Sequence, residues 1–564
     1  MRILLWLTLV IVFHGCFDWL YNLPKTVGDD VPEGKLNSLS FAPFREGQSP
    51  LEAIFPNAAQ IEEDVKLLAE KTHSIRTYSS GETMVYIAPL AQKYGLKMIQ
   101  GAWLGYMEVD NRKEIDALIK AANAYPEVIQ RVIVGNEILL RGEMEPEKLI
   151  ESIREVKRSV KQPVSYADVW SMYMKHPELI KEVDFITIHI LPYWEDEPIP
   201  VNEAPAHIER IYKQVQKEAE SIAPGKPILI GESGWPSVGR QRGWAVPSVV
   251  NEAQFIRGLI KVAQDNHFDY NIVEAFNQSW KSELEGVVGA NWGLFSIDRK
   301  EVFPLTGKVY QNPKWLGELQ FSSAILIFLA GCYWKRLQTL PTVPLILFLI
   351  FAQILAELFV QQCDYAWYTS YTPWQRLQAA LIALMSAILA GFILHRACGL
   401  LADQSANRIV ASATQLIYAA ICLLALYITY QLALNGRYIS FPFTLTSVAV
   451  IGVVGLAVLR LSAERSFSSE RFNLQALIGS PSPLPKTKLW GYALLLISAA
   501  LILGEIRAFM VGRDFIQAYP ELATRTYWAA IFTLSNQQLM TWLLSLIVLA
   551  MPLLLSRQNA KLPK

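Results

Sequence analysis

Short apolar runs alternate with amphipathic stretches through the first half of the chain. In the amphipathic stretches, such as 57–71 and 112–124, apolar side chains recur at the spacing of one helix face. The apolar runs are short and bounded by turn-forming residues, which is typical of buried strands. Eight runs read as strands, at 36–41, 74–78, 97–103, 131–134, 163–166, 185–189, 227–230 and 271–276.

The alternation of strand and helix indicates the fold class. Strands that alternate with helices form a parallel sheet, and eight βα units in a segment of this length match a (β/α)8 barrel, the TIM barrel of the α/β class. In such barrels the chemistry occurs where strands end and loops begin, on the C-terminal face. The sequence therefore predicts a TIM barrel with its site at the strand ends.

A second pattern, long and apolar with few charges, surrounds the predicted barrel. Runs close to the 17 to 25 or so residues that cross a bilayer lie at 3–20, 319–334, 340–361, 377–400, 409–434, 442–461, 489–509 and 539–555. We expect three parts: an N-terminal transmembrane signal anchor at 1–24, the barrel at 25–318, and an all-α transmembrane domain of about seven helices at 319–564.

Basic residues at the ends of these runs predict the side on which each loop lies. Lysine and arginine are enriched on cytoplasmic loops, and here they fall on alternate loops, at Arg2, Lys335, Arg336, Arg396, Arg408, 460–488 and Arg557. Both termini are then cytoplasmic and the barrel lies on the outer side, with Arg507, Arg513 and Arg525 as exceptions. No Ala-x-Ala-like site follows the first run, so we expect an uncleaved anchor.

Composition argues against several kinds of partner. The 51 basic and 51 acidic side chains cancel, so the chain has no strong net charge that would attract a nucleic acid. All five cysteines lie in or beside apolar runs, so the predicted barrel has none for a disulfide. The seven histidines lack metal-ligand spacing such as H-x-x-x-H, and no glycine-rich phosphate loop occurs. We therefore expect neither a metal nor a cofactor.

Two glutamates stand out at predicted strand ends. Glu137 follows the fourth strand and Glu232 follows the seventh, so both carboxylates face the same mouth of the barrel. Glycosidic bonds are cleaved between two such carboxyl groups. A single glutamate after a strand more often caps a helix or pairs with an arginine, but two at strands four and seven favour the catalytic interpretation.

The residues around both glutamates resemble a known family. Val134-Gly135-Asn136-Glu137 and the segment 231–237, Gly-Glu-Ser-Gly-Trp-Pro-Ser, are similar to the acid/base and nucleophile motifs of glycoside hydrolase family 17, the β-1,3-glucanase family. Further matches lie at 41–50, 75–79, 274–281 and 291–295. The resemblance covers about half of the chain, is strongest to the bacterial membrane-attached branch with its glucan transglycosylases, and leaves the apolar half unexplained.

The resemblance implies roles for individual residues. Glu137 is then the acid/base, Glu232 the nucleophile of a retaining reaction, and Asn136 a partner of the sugar hydroxyl beside the reacting carbon. Further substrate-binding candidates at or near strand ends are Arg76, Tyr78, Trp103, Tyr166, Tyr193, Trp235, Trp280 and Lys281. Aromatic rings there can cover sugar faces, although half or more of them can instead be packing residues.

Two positions are ambiguous at this stage. Plant-type relatives carry a glutamate where this chain has Gly289, and neither Glu283 nor Glu285 can be mapped onto that role, which affects the charges expected around Lys281. His189 ends the sixth strand, but a lone histidine there is at least as often structural.

The expected function is that of a retaining β-1,3-glucan glycosidase or transglycosidase, acting on periplasmic glucan at a bacterial inner membrane through a glycosyl-enzyme on Glu232. Expected partners are β-1,3-glucan, membrane lipid and, as a further candidate, a glucan synthase, but not nucleic acid. The alternative is a non-catalytic membrane scaffold, or a partner of glucan export or synthesis, that binds β-glucan. A glycosyltransferase is disfavoured because no Asp-x-Asp motif lies beside a strand.

A few ionisable residues lie inside the apolar runs. Glu357, and Glu505 with Arg507, are the examples. Such residues are costly in a bilayer, so each is a candidate for function. The alternative is a position in helix packing or at the membrane interface.

Overall fold

The computed structural model describes residues 1–464, 471–480 and 485–556. The chain divides into two compact units, Pro24–Gln311 and a discontinuous unit made of Met1–Leu23 with Asn312–Lys564. We call them the barrel unit and the helical unit and describe each by itself.

The barrel unit is built on a closed parallel sheet. Its strands are hydrogen-bonded in chain order, and β1 closes the ring against β8 through Leu39 and Ile272. The strands are β1 (Leu36–Ser40), β2 (Thr72–Arg76), β3 (Lys97–Ala102), β4 (Ile129–Asn136), β5 (Val164–Val169), β6 (Ile186–His189), β7 (Ile228–Ser233) and β8 (Asp269–Ile272). The predicted TIM barrel is confirmed.

Helices are numbered along the whole chain. α1 (Arg2–Tyr21) precedes the barrel. The helices of the barrel unit are α2 (Ala58–Ala69), α3 (Ile87–Tyr94), α4 (Glu108–Ala124), α5 (Pro146–Ser159), α6 (Trp170–Lys175), α7 (Glu178–Glu182), α8 (Ala204–Ile222), α9 (Val249–Asn266) and α10 (Ser282–Gly289). Short 3-10 turns lie at Pro32–Gly34, Glu82–Tyr86 and Ser279–Lys281.

Local sequence explains where the barrel helices begin and which face they bury. The Asn57 side chain accepts a hydrogen bond from the backbone of Gln60, whose side chain accepts one from the backbone of Asn57, and this reciprocal capping starts α2. Along α5 the buried residues are Leu149, Ile153 and Val156, spaced at four and three residues. That spacing places them on one helix face, which packs on the sheet.

Every strand differs from its predicted bounds by one residue or more at an end, and β2 and β8 are examples. β2 begins at Thr72 because Thr72 already pairs in register with Leu36 of β1. β8 ends at Ile272, four residues earlier than expected. Beyond it the pairing becomes irregular: the Ala275 N–H donates to Ser40 O of β1 at 2.9 Å, whereas the Glu274 N–H donates to Trp292 O of a loop at 3.1 Å.

The helical unit contains α1 and the helices after the barrel. These are α11 (Trp315–Cys332), α12 (Trp334–Thr339), α13 (Thr342–Tyr368), α14 (Pro373–Leu401), α15 (Arg408–Asn435), α16 (Phe443–Glu464), α17 (Leu474–Ile478), α18 (Thr487–Met510), α19 (Arg513–Ala518), α20 (Leu522–Leu534) and α21 (Gln537–Leu554). Within the described ranges, eight of them are long and apolar enough to cross a membrane: α1, α11, α13, α14, α15, α16, α18 and α21. The predicted all-helical second region is confirmed.

Candidate active site

The two glutamates singled out by sequence lie on the strands from which they were predicted to project. Glu232 belongs to β7, and Glu137 directly follows Asn136, the last residue of β4. Gly135 and Glu137 have φ angles of 84° and 52°, and the Glu137 N–H donates to Ala167 O of β5 at 2.8 Å. A non-glycine residue with positive φ is strained, and such strain is concentrated at functional sites.

His189 lies between the two carboxylates. Its Nδ1 is 2.8 Å from Glu137 Oε1 and its Nε2 is 3.5 Å from Glu232 Oε1, and its side chain has no exposed surface. One carboxylate oxygen of each glutamate and one ring nitrogen of His189 all lie within 4.8 Å of one another. The two carboxyl groups therefore face each other across a single buried imidazole.

Arg76 connects the nucleophile candidate to the neighbouring amide. Arg76 is the last residue of β2 and is 1% exposed. Its Nη1 donates to Glu232 Oε1 at 2.9 Å and to Gly231 O at 2.8 Å, and its Nη2 donates to Asn136 Oδ1 at 2.6 Å. A guanidinium presents several donors in one rigid fork. Arg76 thus fixes the positions of Glu232 and Asn136, rather than presenting its charge at the surface.

Charges around Glu232 decide its ionisation. Burial raises the pKa of Glu232, but the electrostatic interactions with His189, Arg76 and Lys281, with the Arg76 hydrogen bond, outweigh it and hold the pKa below its usual value. Glu232 is therefore a carboxylate at neutral pH, the form that a nucleophile requires.

Lys281 contributes its charge from a buried ion pair. Lys281 Nζ lies 2.8 Å from Glu274 Oε2, and the Glu274 side chain is 1% exposed. Burial lowers the pKa of Lys281, yet the carboxylates of Glu274, Glu285 and Glu232 raise it above its usual value. Lys281 therefore stays protonated beside the site.

Glu285 accounts for the glycine at position 289. A Cβ atom built on Gly289 would lie 2.6 Å from Glu285 Oε2, so the Glu285 side chain occupies the space into which a side chain at 289 would project. Its carboxylate acts on Lys281. This chain therefore has an acidic side chain near Lys281 at position 285, four residues before Gly289.

Three aromatic candidates are packed inside the barrel unit. Tyr166, Tyr193 and Trp235 each have no exposed surface. The Tyr166 hydroxyl donates to Asp168 Oδ2, the Tyr193 hydroxyl to Arg240 O at 2.5 Å, and Trp235 Nε1 to Val246 O at 3.0 Å. In this structure they hold strand ends and loops in place and present no ring face to a sugar.

The other aromatic candidates are more accessible. Trp103 is 44% exposed, with the Arg141 guanidinium 4.5 Å from its ring centre. Tyr78 and Trp280 are half-buried, and their polar atoms donate to Ser40 Oγ at 3.0 Å and to Gln278 Oε1 at 2.9 Å. These rings are the ones available to a ligand.

Sequence reasoning left two strand-end residues out of the site. His189 was noticed, but its residue type alone did not distinguish a structural role. Asp168 was missed because strand five was expected to end at residue 166, whereas β5 extends to Val169. Asp168 is fully buried, accepts from the Val169 N–H at 2.8 Å, and has a pKa raised to about 6 chiefly by burial.

Comparison with known proteins places the barrel in a family. Residues 38–293 match the family model of the BtgE/BtgC glycoside hydrolase domain. A glucan 1,3-beta-glucosidase of Arthroderma benhamiae is 28% identical over 44% of this chain and 85% of that protein, and one of Schizosaccharomyces pombe is 28% identical over 40% and 74%. A glycoside hydrolase family 17 beta-1,3-glucanosyltransferase structure from Rhizomucor miehei is 26% identical, covering 47% of this chain and 95% of that one, with a TM-score of 0.41. Residues 38–293 are thus a glycoside hydrolase domain of the BtgE/BtgC type, similar to glucan 1,3-beta-glucosidases.

Proposed function

We propose that the chain is a retaining β-1,3-glucan glycosidase or transglycosidase in which Glu232 is the nucleophile and Glu137 the acid/base. One observation carries this proposal: carboxylate oxygens of the two glutamates lie within 4.8 Å of each other. Retaining enzymes hold their carboxyl groups about 5 to 5.5 Å apart, whereas inverting enzymes need about 6.5 to 9.5 Å for a water molecule. The separation at this site therefore supports retention over inversion.

The reaction proceeds in two steps. Glu137 donates a proton to the glycosidic oxygen while the Glu232 carboxylate attacks the anomeric carbon, so the leaving sugar departs with the proton and a glycosyl-enzyme ester forms. Glu137, now a carboxylate, takes a proton from a water or a sugar hydroxyl, whose oxygen then displaces Glu232. Water yields hydrolysis and a sugar hydroxyl yields transfer.

The neighbouring residues position these two groups. Arg76 holds Glu232 and Asn136 in one arrangement, so Asn136 is placed to bind the hydroxyl beside the reacting carbon. His189 Nδ1, 2.8 Å from Glu137 Oε1, holds the acid/base from the nucleophile's side. Positioned groups of this kind contribute to the rate by avoiding reorganisation during the reaction.

The substrate is proposed from the relatives and from the exposed rings. Both curated relatives described above are named glucan 1,3-beta-glucosidases. Trp103, Tyr78 and Trp280 offer ring faces or edges of the kind that pack on sugars. Tyr166, Tyr193 and Trp235 support the loops that carry the site.

The location is proposed from the apolar helices and the basic loops. We place the helical unit across a bacterial inner membrane, in contact with lipid, with both termini cytoplasmic and the barrel on the periplasmic side. There the barrel would meet periplasmic glucan, and a membrane glucan synthase is the partner that would supply it.

The test uses the full-length protein in detergent with β-1,3-gluco-oligosaccharides. Proton NMR of the first products reports their anomeric configuration, and mass spectrometry reports their length. We expect β-anomers from wild type, turnover reduced by at least about 10⁴-fold in Glu232→Gln, and wild-type turnover in Glu218→Gln, whose side chain is exposed on α8. Products longer than the substrate would identify a transglycosidase.

Two outcomes would contradict the proposal. Initial α-anomers would mean inversion. If wild type and Glu232→Gln both bind glucan and neither converts it, the non-catalytic scaffold would be favoured.

A further inference from the structure

The helical unit contains a cluster of ionisable side chains that the barrel chemistry does not use. His14 and Asp18 lie one helical turn apart on α1, and Glu357 lies on α13. His14 Nε2 is 3.5 Å from Asp18 Oδ2 and 3.7 Å from Glu357 Oε2. We call these three residues the α1–α13 cluster.

The polar atoms of the cluster are buried and lack hydrogen-bond partners. Glu357 is 6% exposed. Within the described parts of the chain, its Oε2, His14 Nε2 and Asp18 Oδ2 make no hydrogen bond, because the distances between them exceed hydrogen-bond length. His14 is the ion-pair partner of both carboxylates and can neutralise at most one of them. At least one negative charge is therefore left inside an apolar helical unit, where charge is costly.

The spacing of these atoms fits a small divalent cation. The three donor atoms all lie within 4.8 Å of one another. Metal–ligand bonds of about 2.1 Å in a tetrahedral zinc site separate neighbouring ligands by about 3.4 Å. The two distances from His14 Nε2 are close to that value, so a small adjustment of Asp18 and Glu357 would complete three ligand positions.

Neighbouring residues fix the ligands from outside. Gln361 Nε2 donates to Glu357 Oε1 at 3.1 Å, which leaves Oε2 directed at His14. A Cβ on Gly15 would lie 2.9 Å from Leu319 Cδ2 of α11, so the glycine lets α1 approach α11 closely beside His14. Metal ligands are commonly oriented by outer hydrogen bonds of this kind.

We propose that the α1–α13 cluster is a Zn²⁺ site, with His14 Nε2, Asp18 Oδ2 and Glu357 Oε2 as ligands. An imidazole with two carboxylates is a donor set that Zn²⁺ accepts, and the cation would neutralise the two carboxylates. The ion would connect α1 to α13. The free energy of unfolding of the helical unit would therefore increase with the logarithm of the free zinc concentration. The inference is independent of the glycosidase proposal.

The experiment is a zinc titration of the full-length protein in detergent after treatment with a chelator. Bound metal is measured by mass spectrometry of the gel-filtered protein, and affinity by calorimetry. We expect one Zn²⁺ per chain, and an affinity at least about 100-fold weaker in His14→Gln and in Glu357→Gln than in wild type. His395→Gln removes a histidine of α14 outside the cluster and should bind as wild type does.

The barrel provides a second control, because Glu137, His189 and Glu232 form the other three-residue group with suitable spacing in the described structure. Glu232→Gln should leave zinc binding unchanged. The proposal is overturned if wild type binds no zinc, if Glu357→Gln binds with wild-type affinity, or if Glu232→Gln abolishes binding.

A measurement on wild type avoids variants that fail to fold. X-ray absorption at the zinc edge of the loaded protein should show one imidazole nitrogen and oxygen ligands. A sulfur shell would contradict the assignment, because the cluster contains no cysteine. Glycosidase activity is expected to be the same in zinc-loaded and zinc-depleted protein, which separates this inference from the proposed function.

Discussion

Arg76 shows how much of the candidate site depends on one buried side chain. Its fork of donors reaches Glu232, Gly231 and Asn136 at 2.6 to 2.9 Å. A buried arginine with these partners acts both as a charge that keeps Glu232 ionised and as a brace between β4 and β7. The two contributions can be separated by substitution.

Arg76→Lys keeps the charge but cannot donate to all three acceptors. We expect kcat on β-1,3-gluco-oligosaccharides to fall by about 10²-fold, because small misplacement of a reacting group is that costly, with KM changed much less. Arg154→Lys in the surface pair with Glu182 is the matched control and should retain wild-type kinetics. A kcat within a factor of three of wild type in Arg76→Lys would contradict the bracing role.

Lys281 acts on the same carboxylate by charge alone. The pKa of Glu232 is held below its usual value partly by Lys281. Glu232 must be ionised to attack, so kcat/KM falls as pH decreases through its pKa, and a lowered pKa places this acid limb below the usual value of about 4.3. In Lys281→Met we expect the limb to move to higher pH.

The pH profile of kcat/KM checks this shift. Lys281→Arg should restore the wild-type limb, and Lys261→Met, which removes a surface partner of Asp265, should not move it. An unchanged limb in Lys281→Met would show that Lys281 does not tune the nucleophile.

At the scale of elements, the pattern of apolar runs was sufficient to locate every strand of the barrel. It failed at strand ends, as in β4, β5 and β8, because a short apolar run does not show where regular pairing with the neighbouring strands stops. Motif residues identified Glu137 and Glu232. Burial of Tyr166, Tyr193 and Trp235 was not predictable, since an aromatic near a strand end can face either the mouth or the interior.

Long-range contacts explain the remaining gaps. The α1–α13 cluster joins residues more than 300 positions apart in sequence, so no local spacing could indicate it. His14 and Asp18 are four residues apart, but a criterion of two histidines does not include a histidine with an aspartate. Glu285 lies only four residues from Lys281, but the backbone between Lys281 and Gly289 is interrupted by the non-helical Gly286, whose φ is 68°, and helical spacing alone does not predict that interruption.

Close contact between β6 and β7 makes Gly231 necessary for the position of Glu232. A Cβ at position 231 would lie 2.4 Å from Thr187 Cγ2 on β6. We expect Gly231→Ala to displace β7 and to lower the free energy of unfolding by about 1 to 3 kcal/mol. We also expect kcat to fall by more than this loss of stability explains. Thermal unfolding and kcat measured on the same sample would separate the two effects.

Gly105→Ala is the matched control, because its Cβ would meet only Glu143 Oε2 of a flexible side chain, at 3.4 Å. This variant should be close to wild type in both measurements. If Gly231→Ala behaved like Gly105→Ala, the packing of β6 on β7 would not control the nucleophile.

At the scale of the whole molecule, the chain combines a barrel unit with a discontinuous helical unit. The barrel unit begins and ends side by side: Lys25 and Val309 pair through two backbone hydrogen bonds of 2.8 and 3.0 Å. It is therefore an insertion between α1 and α11, and both of its connections leave from one place on its surface.

The proposed topology can be tested by labelling single cysteines. In a full-length variant without the five native cysteines, Ser221→Cys lies on the exposed surface of the barrel unit, and Ser405→Cys in the exposed loop between α14 and α15. A membrane-impermeant maleimide should label only Ser221→Cys in right-side-out vesicles and only Ser405→Cys in inverted ones. Labelling of both on the same side would contradict the arrangement.

The insertion also determines the order in which the helical unit can assemble. Between the synthesis of α1 and α11 the ribosome adds about 290 residues of barrel, which at about 5 to 20 residues per second takes about 15 to 60 s. During that time α1 has none of its later packing partners. In the membrane arrangement proposed above, nascent α1, with His14 and Asp18 uncovered, is retained by the lipid or by the insertion machinery until α13 emerges and the unit can close.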